Sequence, residues 1–276
     1  MIRESAGFGM FGLGIRHRDS RHATCHNCVM KIATWNVNGI RARQAQLCEW
    51  LARDRPDVVC LQELKAERAQ IPAQCELADY HVYWHGLRAY SGVSLHIRKG
   101  LFDADPAFGH PEFDMESRIV KAEFGNLVLA SVYVPNGGKD YPAKLDFMTR
   151  LAAWARRLHE EGRELVLCGD MNITRTDMDV HPKERKPGVI GQRPEERELF
   201  DTLLGGHLVD VGRTLEPDNP GLFTWWAPWR NMRSRNIGWR LDYILASKTI
   251  AERAASCAVL AEVGTSDHAP VMMITE

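Results

Sequence analysis

Short β-rich apolar runs recur along most of this chain, and segments of helical spacing interrupt them. That alternation limits the folds open to it. Val29–Val37 is rich in β-formers. Gln44–Arg53 places Leu47, Trp50 and Leu51 on one face of a helix. Asp57–Leu61 is a short run of the kind buried on both faces. Tyr80–Trp84 and Val93–Ile97 follow as strands, with Gly86 and Ser91-Gly92 as breakers. Arg118–Phe124 and Leu127–Val134 are joined by Gly125-Asn126, a hairpin turn. Pro142–Glu161 reads as the longest helix, stopped at Gly162. Leu165–Cys168 is a further buried strand, and Pro194 opens a helix through Leu204 with acids in its first turn. The remaining strand-like runs are Phe223–Trp226, Asp242–Leu245, Cys257–Leu260 and Val271–Ile274. Hairpins mixed with helical crossovers predict an α/β protein with mixed sheets covered by helices.

The 276 residues fit one large domain or two small ones, and 45% hydrophobic with 26% charged residues is an ordinary globular balance. No internal repeat or linker divides the chain after residue 30, so 30–276 is expected to be a single domain. Residues 1–29 have four glycines, scattered Arg and His, and no sustained period; they are expected to form a flexible extension. Within them His22, Cys25, His26 and Cys28 form a small metal-like group, but a lone C-x₂-C lacks the second pair typical of structural zinc. Seven scattered cysteines, several in apolar runs, are expected as small hydrophobes in a reducing, cytoplasmic setting. No apolar run approaches the roughly eighteen residues of a membrane span, and no extended apolar helix face is left over, so a monomer off the membrane is expected.

Chemistry is expected where polar residues end buried strands, because a carboxylate or amide there is costly unless it has a role. Five such ends occur: Asn36 and Asn38 in TWNVNG, Glu63 in CLQE, Tyr133 in VYVPN, Asp170 and Asn172 in CGDMN, and Asp267-His268 in TSDHAP. Each alone also reads as a turn, a cap, a solvated strand end or core. Together they offer carboxylate and amide oxygens and one imidazole, a donor set that suits a hard dication such as Mg²⁺ beside a phosphate. Cys168 is expected to point inward, and no glycine-rich phosphate loop with a lysine is present.

The net charge of −1 argues against a broadly basic binding face. A local strip nevertheless runs from Trp225 to Arg240, with four tryptophans, four arginines and no acid. Arginine meets phosphate and tryptophan stacks on bases or sugars, so this strip reads as a nucleic-acid contact. The bland alternative is an aromatic core under a solvated loop.

These segments resemble the exodeoxyribonuclease III family of apurinic/apyrimidinic endonucleases, within the endonuclease/exonuclease/phosphatase superfamily. The resemblance spans nearly all of 30–276. It is carried by Trp35–Ala42 (WNVNGIRA), Cys60–Glu63, Tyr133–Asn136, Gly169–Asn172, Asn236–Tyr243 (NIGWRLDY) and Ser266–Pro270. It implies a four-layered, DNase I-like α/β sandwich of two packed mixed sheets flanked by helices. It also implies a Mg²⁺-dependent (Mn²⁺ as the alternative) repair nuclease that cuts double-stranded DNA 5′ to abasic sites and acts on blocked 3′ ends. Asn36, Glu63, Asp170, Asn172, Asp267 and His268 would ligate the metal or line its site. Tyr133, Asp170, Asn172, Asp242 and His268 would be catalytic, with Asp242 orienting His268. Trp225, Arg235, Asn236, Trp239 and Leu241 would contact the substrate, with Trp225, Trp239 and Leu241 walling a pocket for the abasic sugar. The chain departs from the family pattern at Leu64, Ser117 and Trp225. A small-molecule phosphoesterase of the same superfamily and an inactive DNA-binding module are the alternatives.

Overall fold

The computed structural model describes residues 29–87 and 90–276. The expected extension therefore lies, apart from Val29, outside the described residues, as does the His22/Cys25/His26/Cys28 group. Twelve strands and five α-helices follow in this order: β1 (Met30–Asn36), α1 (Ile40–Asp54), β2 (Val58–Gln62), β3 (Tyr80–Leu87), β4 (Tyr90–Arg98), β5 (Ala107–Gly109), β6 (Ile119–Phe124), β7 (Leu127–Tyr133), α2 (Tyr141–Glu160), β8 (Glu164–Asp170), α3 (Pro194–Leu204), β9 (Leu208–Asp210), α4 (Val211–Leu215), β10 (Asp242–Ser247), α5 (Lys248–Ala251), β11 (Ala254–Val259) and β12 (Val271–Thr275). No helix among the described residues is long and apolar enough to cross a membrane.

The strands form two six-stranded sheets, one ordered β11-β12-β1-β2-β4-β3 and the other β5-β6-β7-β8-β10-β9. Each contains one parallel pair, β1 with β2 and β7 with β8; the other pairs are antiparallel. The facing sheets bury Ile32, Val58, Leu95, Val120, Leu129, Val166, Cys168 and Ile244 between them. On the outer face of the first sheet, Leu47, Trp50 and Leu51 of α1 pack on Trp35, Val59 and Leu61. On the outer face of the second, Phe147 and Leu151 of α2 and Phe200 and Leu203 of α3 pack on Val128, Leu165 and Leu167. The result is a four-layered, DNase I-like sandwich.

Local sequence accounts for the helix limits. Asp140 caps α2 by accepting from the Ala143 N–H at 2.9 Å. Helix α3 begins at Pro194, carries Glu195 and Glu196 in its first turn, and ends on Gly205 in the left-handed region. One expected strand does not form. Phe223–Trp226 runs as loop, in which Trp225 makes single bridges to Trp239 and to His268. Its apolar side chains instead join a small separate cluster with Met232, Ile237 and Ala269. The short strands β5 and β9 had no period long enough to be read from sequence.

Strand polarity positions the site. The parallel pairs put Asn36 beside Gln62 and Tyr133 beside Asp170, all at C-terminal strand ends. Antiparallel pairing brings Asp242, the first residue of β10, opposite Asp170. It also starts β12 at Val271 opposite Thr34, three residues after His268. Polar residues far apart in sequence thus gather at one end of the sandwich. The approach of β8 to β7 there is close: a Cβ on Gly169 would lie 1.9 Å from the Val132 carbonyl oxygen. Gly169→Ala is expected to destabilise the protein by about 3 kcal/mol, the upper part of the overpacking range, because the obstacle is backbone. Chemical denaturation measures this, and a change below about 0.5 kcal/mol would contradict it.

Candidate active site

Asp170 is the centre of the site. It is 1% exposed and ends β8, where Gly169 permits the sharp approach. One carboxylate oxygen accepts from the Asn172 backbone N–H at 2.8 Å, and the other accepts from Asn36 Nδ2 at 2.9 Å. The Asn172 amide donates to the Val134 carbonyl at 2.9 Å and is held in a left-handed turn. Burial pushes the Asp170 carboxyl up to about 7; the nearby Asp242 and Glu63 charges add to this, while His268 opposes it.

His268 enters from the loop before β12. Its Nδ1 is 2.8 Å from Asp242 Oδ2, and its Nε2 is 3.8 Å from Asp170 Oδ2. Burial acts against a charge on this ring, but Asp242, Asp170 and Asp267 outweigh it and raise its pKa to about 10. The imidazole is therefore a cation at neutral pH, oriented by Asp242 and directed at Asp170. The second oxygen of Asp242, Oδ1, is buried without a hydrogen-bond partner. Beside this line, Asp267 accepts from Asn38 Nδ2 at 2.7 Å and from the Trp225 indole at 3.0 Å. Burial opposes its ionisation, yet His268, Asn38 and Trp225 hold its carboxyl below the usual range.

Glu63 sits just past β2 in a left-handed conformation. It accepts from the Tyr133 hydroxyl at 2.6 Å and pairs with Lys65 at 2.8 Å. Burial would raise its pKa, but Lys65 and Tyr133 together bring it below the ordinary value. Burial, with Glu63 and Asp170 alongside, pushes the Tyr133 hydroxyl well above the ordinary tyrosine range, so it remains a donor. The Arg118 guanidinium lies 4.9 Å over the Tyr133 ring and completes that wall.

Two lysines and an arginine were missed by the sequence reading. Lys65 bridges Glu63 and the Asn38 side chain. Lys144 is fully buried in an ion pair with Glu196 at 2.5 Å and donates to the backbone carbonyl of Asn172 at 2.7 Å. Arg118 is 2% exposed. Lys144 lies on a helix among core residues and nothing local marks it. Lys65, two residues after Glu63, was within reach of the motif.

The aromatic strip is only partly what its composition indicated. Trp225 and Trp239 stand edge to face at 5.5 Å, half-buried, with Leu241 buried near them. Trp226 is buried and donates to Asn236 Oδ1 at 3.1 Å. Trp229 is exposed. Two of the four arginines are structural. Arg240 is 4% exposed and locked between Asp179 at 2.7 Å and Asp210 at 2.6 Å. Arg233 donates to the carbonyls of Ala261, Val263 and Ser266. Only Arg230 and Arg235 stand exposed. A buried guanidinium needs fixed anionic or carbonyl partners, and acids distant in sequence supply them for Arg240. The absence of acids inside the strip therefore did not reveal where its charges go.

The oxygen-rich donor set of Asn36, Glu63, Asp170, Asn172 and Asp267 suits a hard dication better than a soft one. The electrostatics agree. Asp170, Asp242 and Asp267 act on His268 while Glu63 pairs with Lys65, and burial, with the Asp242 and Glu63 charges, raises the Asp170 carboxyl's pKa. A site in that condition accommodates further positive charge.

The chain matches the family model described as the endonuclease/exonuclease/phosphatase family over residues 33–268. It is a member of that family, in the exodeoxyribonuclease III branch of AP endonucleases. An exodeoxyribonuclease of Bacillus subtilis is 33% identical over 254 residues, covering 89% of this chain and 99% of the relative. Among solved structures, an AP endonuclease from Archaeoglobus fulgidus superposes with a TM-score of 0.80 at 28% identity, covering 90% of this chain and 99% of its own. A 3′ phosphatase from Neisseria bound to a product DNA hairpin superposes with the same TM-score at 31% identity, over 90% of this chain and 99% of its own.

The histidine has a measurable consequence. With metal removed by EDTA, the folded chain is expected to lose the His268 proton near pH 10, against 6.5 ordinarily. Its charge thus contributes stability that is fully present below pH 6.5 and is lost as pH rises toward 10. Asp170, raised from 3.8 to about 7, carries a cost that grows between those values and changes little above them. From pH 8 to 10 the Tm of the metal-free protein is expected to fall, and to fall less steeply in His268→Gln. Equal slopes in the two proteins would contradict the assignment.

Proposed function

We propose that this chain is a DNA repair nuclease that hydrolyses the phosphodiester 5′ to abasic sites in double-stranded DNA. It also removes nucleotides and blocking groups from 3′ ends. Residues 30–276 act as one catalytic unit, a cytoplasmic monomer. The observation that carries this reading is the buried Asp242–His268–Asp170 line beside the Trp225–Trp239 pair. A charged imidazole, a carboxylate and an aromatic wall meet at one end of the sandwich.

Hydrolysis of a phosphodiester needs an attacking water, neutralisation of charge at phosphorus and a stabilised leaving oxygen. Asp170, when ionised, orients the water and takes its proton. The His268 cation, fixed through Nδ1 by Asp242, donates from Nε2 to a non-bridging phosphate oxygen. As charge builds, the Tyr133 hydroxyl turns from Glu63 to donate to the phosphate, and the Asn172 amide turns from its long contact with Asp170 to help stabilise the transition state. Asn36, Glu63, Asp170, Asn172, Asp267 and His268 line the place of a Mg²⁺ or Mn²⁺, which would supply Lewis-acid stabilisation of the developing oxyanion. An abasic sugar has no base to unstack, so turning it out of the duplex is comparatively cheap. Trp225, Trp239 and Leu241 receive it, and a full nucleotide is excluded by size. Arg235 and Asn236 contact the DNA beside that pocket.

The test is cleavage of an end-labelled duplex with one abasic-site analogue, beside an intact duplex, with Mg²⁺ and with EDTA. The expected result is one Mg²⁺-dependent cut 5′ to the lesion. His268→Ala and Asp170→Asn are each expected to slow it about 10²–10³-fold or more, the scale for loss of one transition-state group. No cut at the lesion in any metal would overturn the reading and turn attention to small phosphorylated substrates.

A further inference from the structure

A second cluster of metal-ligating side chains lies apart from the residues assigned above. His85 is on β3, the edge strand of the first sheet. His110 directly follows β5, the edge strand of the second sheet, and Asp114 lies in the loop leading to β6. One donor atom from each of the three lies within 4.8 Å of the other two. The two imidazole rings are stacked nearly parallel, 4.7 Å apart at 9°.

The carboxylate is held in place. Asp114 Oδ1 accepts from the backbone N–H groups of Arg118 at 2.8 Å and Ile119 at 3.0 Å. Oδ2 is left facing His85 Nε2 at 2.6 Å. The Asp114 side chain is 7% exposed, His85 is partly buried, and His110 is exposed. The site is therefore rigid on one side and open on the other. The edges are already joined beneath it by the stacked pair Tyr83 and Phe108, 5.5 Å apart.

We infer that His85, His110 and Asp114 form a binding site for a borderline transition-metal dication of the Zn²⁺ class, which staples the edges of the two sheets together. Two imidazoles and one carboxylate with an open side match the ligand set of such ions and not that of Mg²⁺, which takes oxygen donors. Bonds near 2.1 Å set the ligand atoms about 3.4 Å apart. His85 and Asp114 need only open slightly, and the exposed His110 closes by rotation. On binding, the proton between His85 Nε2 and Asp114 leaves to solvent, and the metal takes its place. The backbone bonds to Asp114 Oδ1 are the outer-shell support that fixes a ligating carboxylate. Through Arg118, whose guanidinium covers the Tyr133 ring, the staple also stiffens one wall of the candidate active site.

The test measures Zn²⁺ binding to the full chain by equilibrium dialysis, with millimolar Mg²⁺ present to occupy any oxygen-ligand site. His110→Ala and His85→Asn are compared with the unaltered protein. The expected result is one equivalent of Zn²⁺ lost, or bound at least tenfold more weakly, in both variants. Zn²⁺ is expected to raise the Tm of the unaltered protein and not that of His110→Ala. Co²⁺ at this site should show weak visible bands without thiolate charge transfer, which separates it from the cysteines. His110 is exposed, so its variant folds even if His85→Asn does not. Equal Zn²⁺ stoichiometry and affinity in the unaltered protein and His110→Ala would overturn the inference.

Discussion

Asp170 is a carboxylate buried among other carboxylates, and much of this end of the molecule makes that tolerable. Left alone, such a group would take up a proton or unfold the strand end that carries it. Here two amide hydrogen bonds, a backbone N–H and a facing imidazolium share its charge. Those donors come from β1, from the turn after β8 and from the loop before β12, so both sheets must close on each other before the group is satisfied. The site and the sandwich therefore stabilise one another. Burial nevertheless raises the Asp170 pKa, helped by the Asp242 and Glu63 charges, and that excess of acids favours a further cation.

The same logic separates the two kinds of buried charge. Arg240 between Asp179 and Asp210 is a complete pair, and the Lys144 ammonium meets Glu196 at 2.5 Å. They fix the backbone on either side of the site: Arg240 lies between Trp239 and Leu241, and Lys144 grips the Asn172 carbonyl. The Asp170 cluster is incomplete, with acids in excess and one oxygen of Asp242 unpartnered. A closed pair supports structure, and an open cluster leaves capacity for a ligand.

Much of this was legible in the sequence for a definite reason. The strand ends announce themselves because an acid or amide after four apolar residues breaks the pattern; Glu63 after Val58–Leu61 and Asp170 after Leu165–Cys168 are the clear cases. Helices α2 and α3 were readable from Gly162 and from Pro194. Composition failed where partners are remote. Arg233 and Arg240 looked like phosphate ligands because the acids and carbonyls that bind them lie elsewhere in the chain. Phe223–Trp226 looked like a strand because its residues favour one, but among the described residues its ladder pairing is limited to isolated bridges at Trp225. Lys144 and Arg118 were invisible for the same reason, since burial of a cation is decided by the tertiary fold. The pairing of His85 with His110 depends on two sheet edges meeting, which no local pattern reports.

The central claim is that the Asp242–His268–Asp170 line and the Trp225–Trp239 pair form one substrate site. The most direct measurement is a crystal structure with a duplex carrying an uncleavable abasic analogue, in Ca²⁺ to hold the reaction. The account predicts the phosphate 5′ to the lesion within hydrogen-bond reach of His268 Nε2 and the Asn172 amide, and the abasic sugar against Trp225 and Trp239. A lesion phosphate bound elsewhere on the protein, or a sugar left stacked in the duplex, would contradict it.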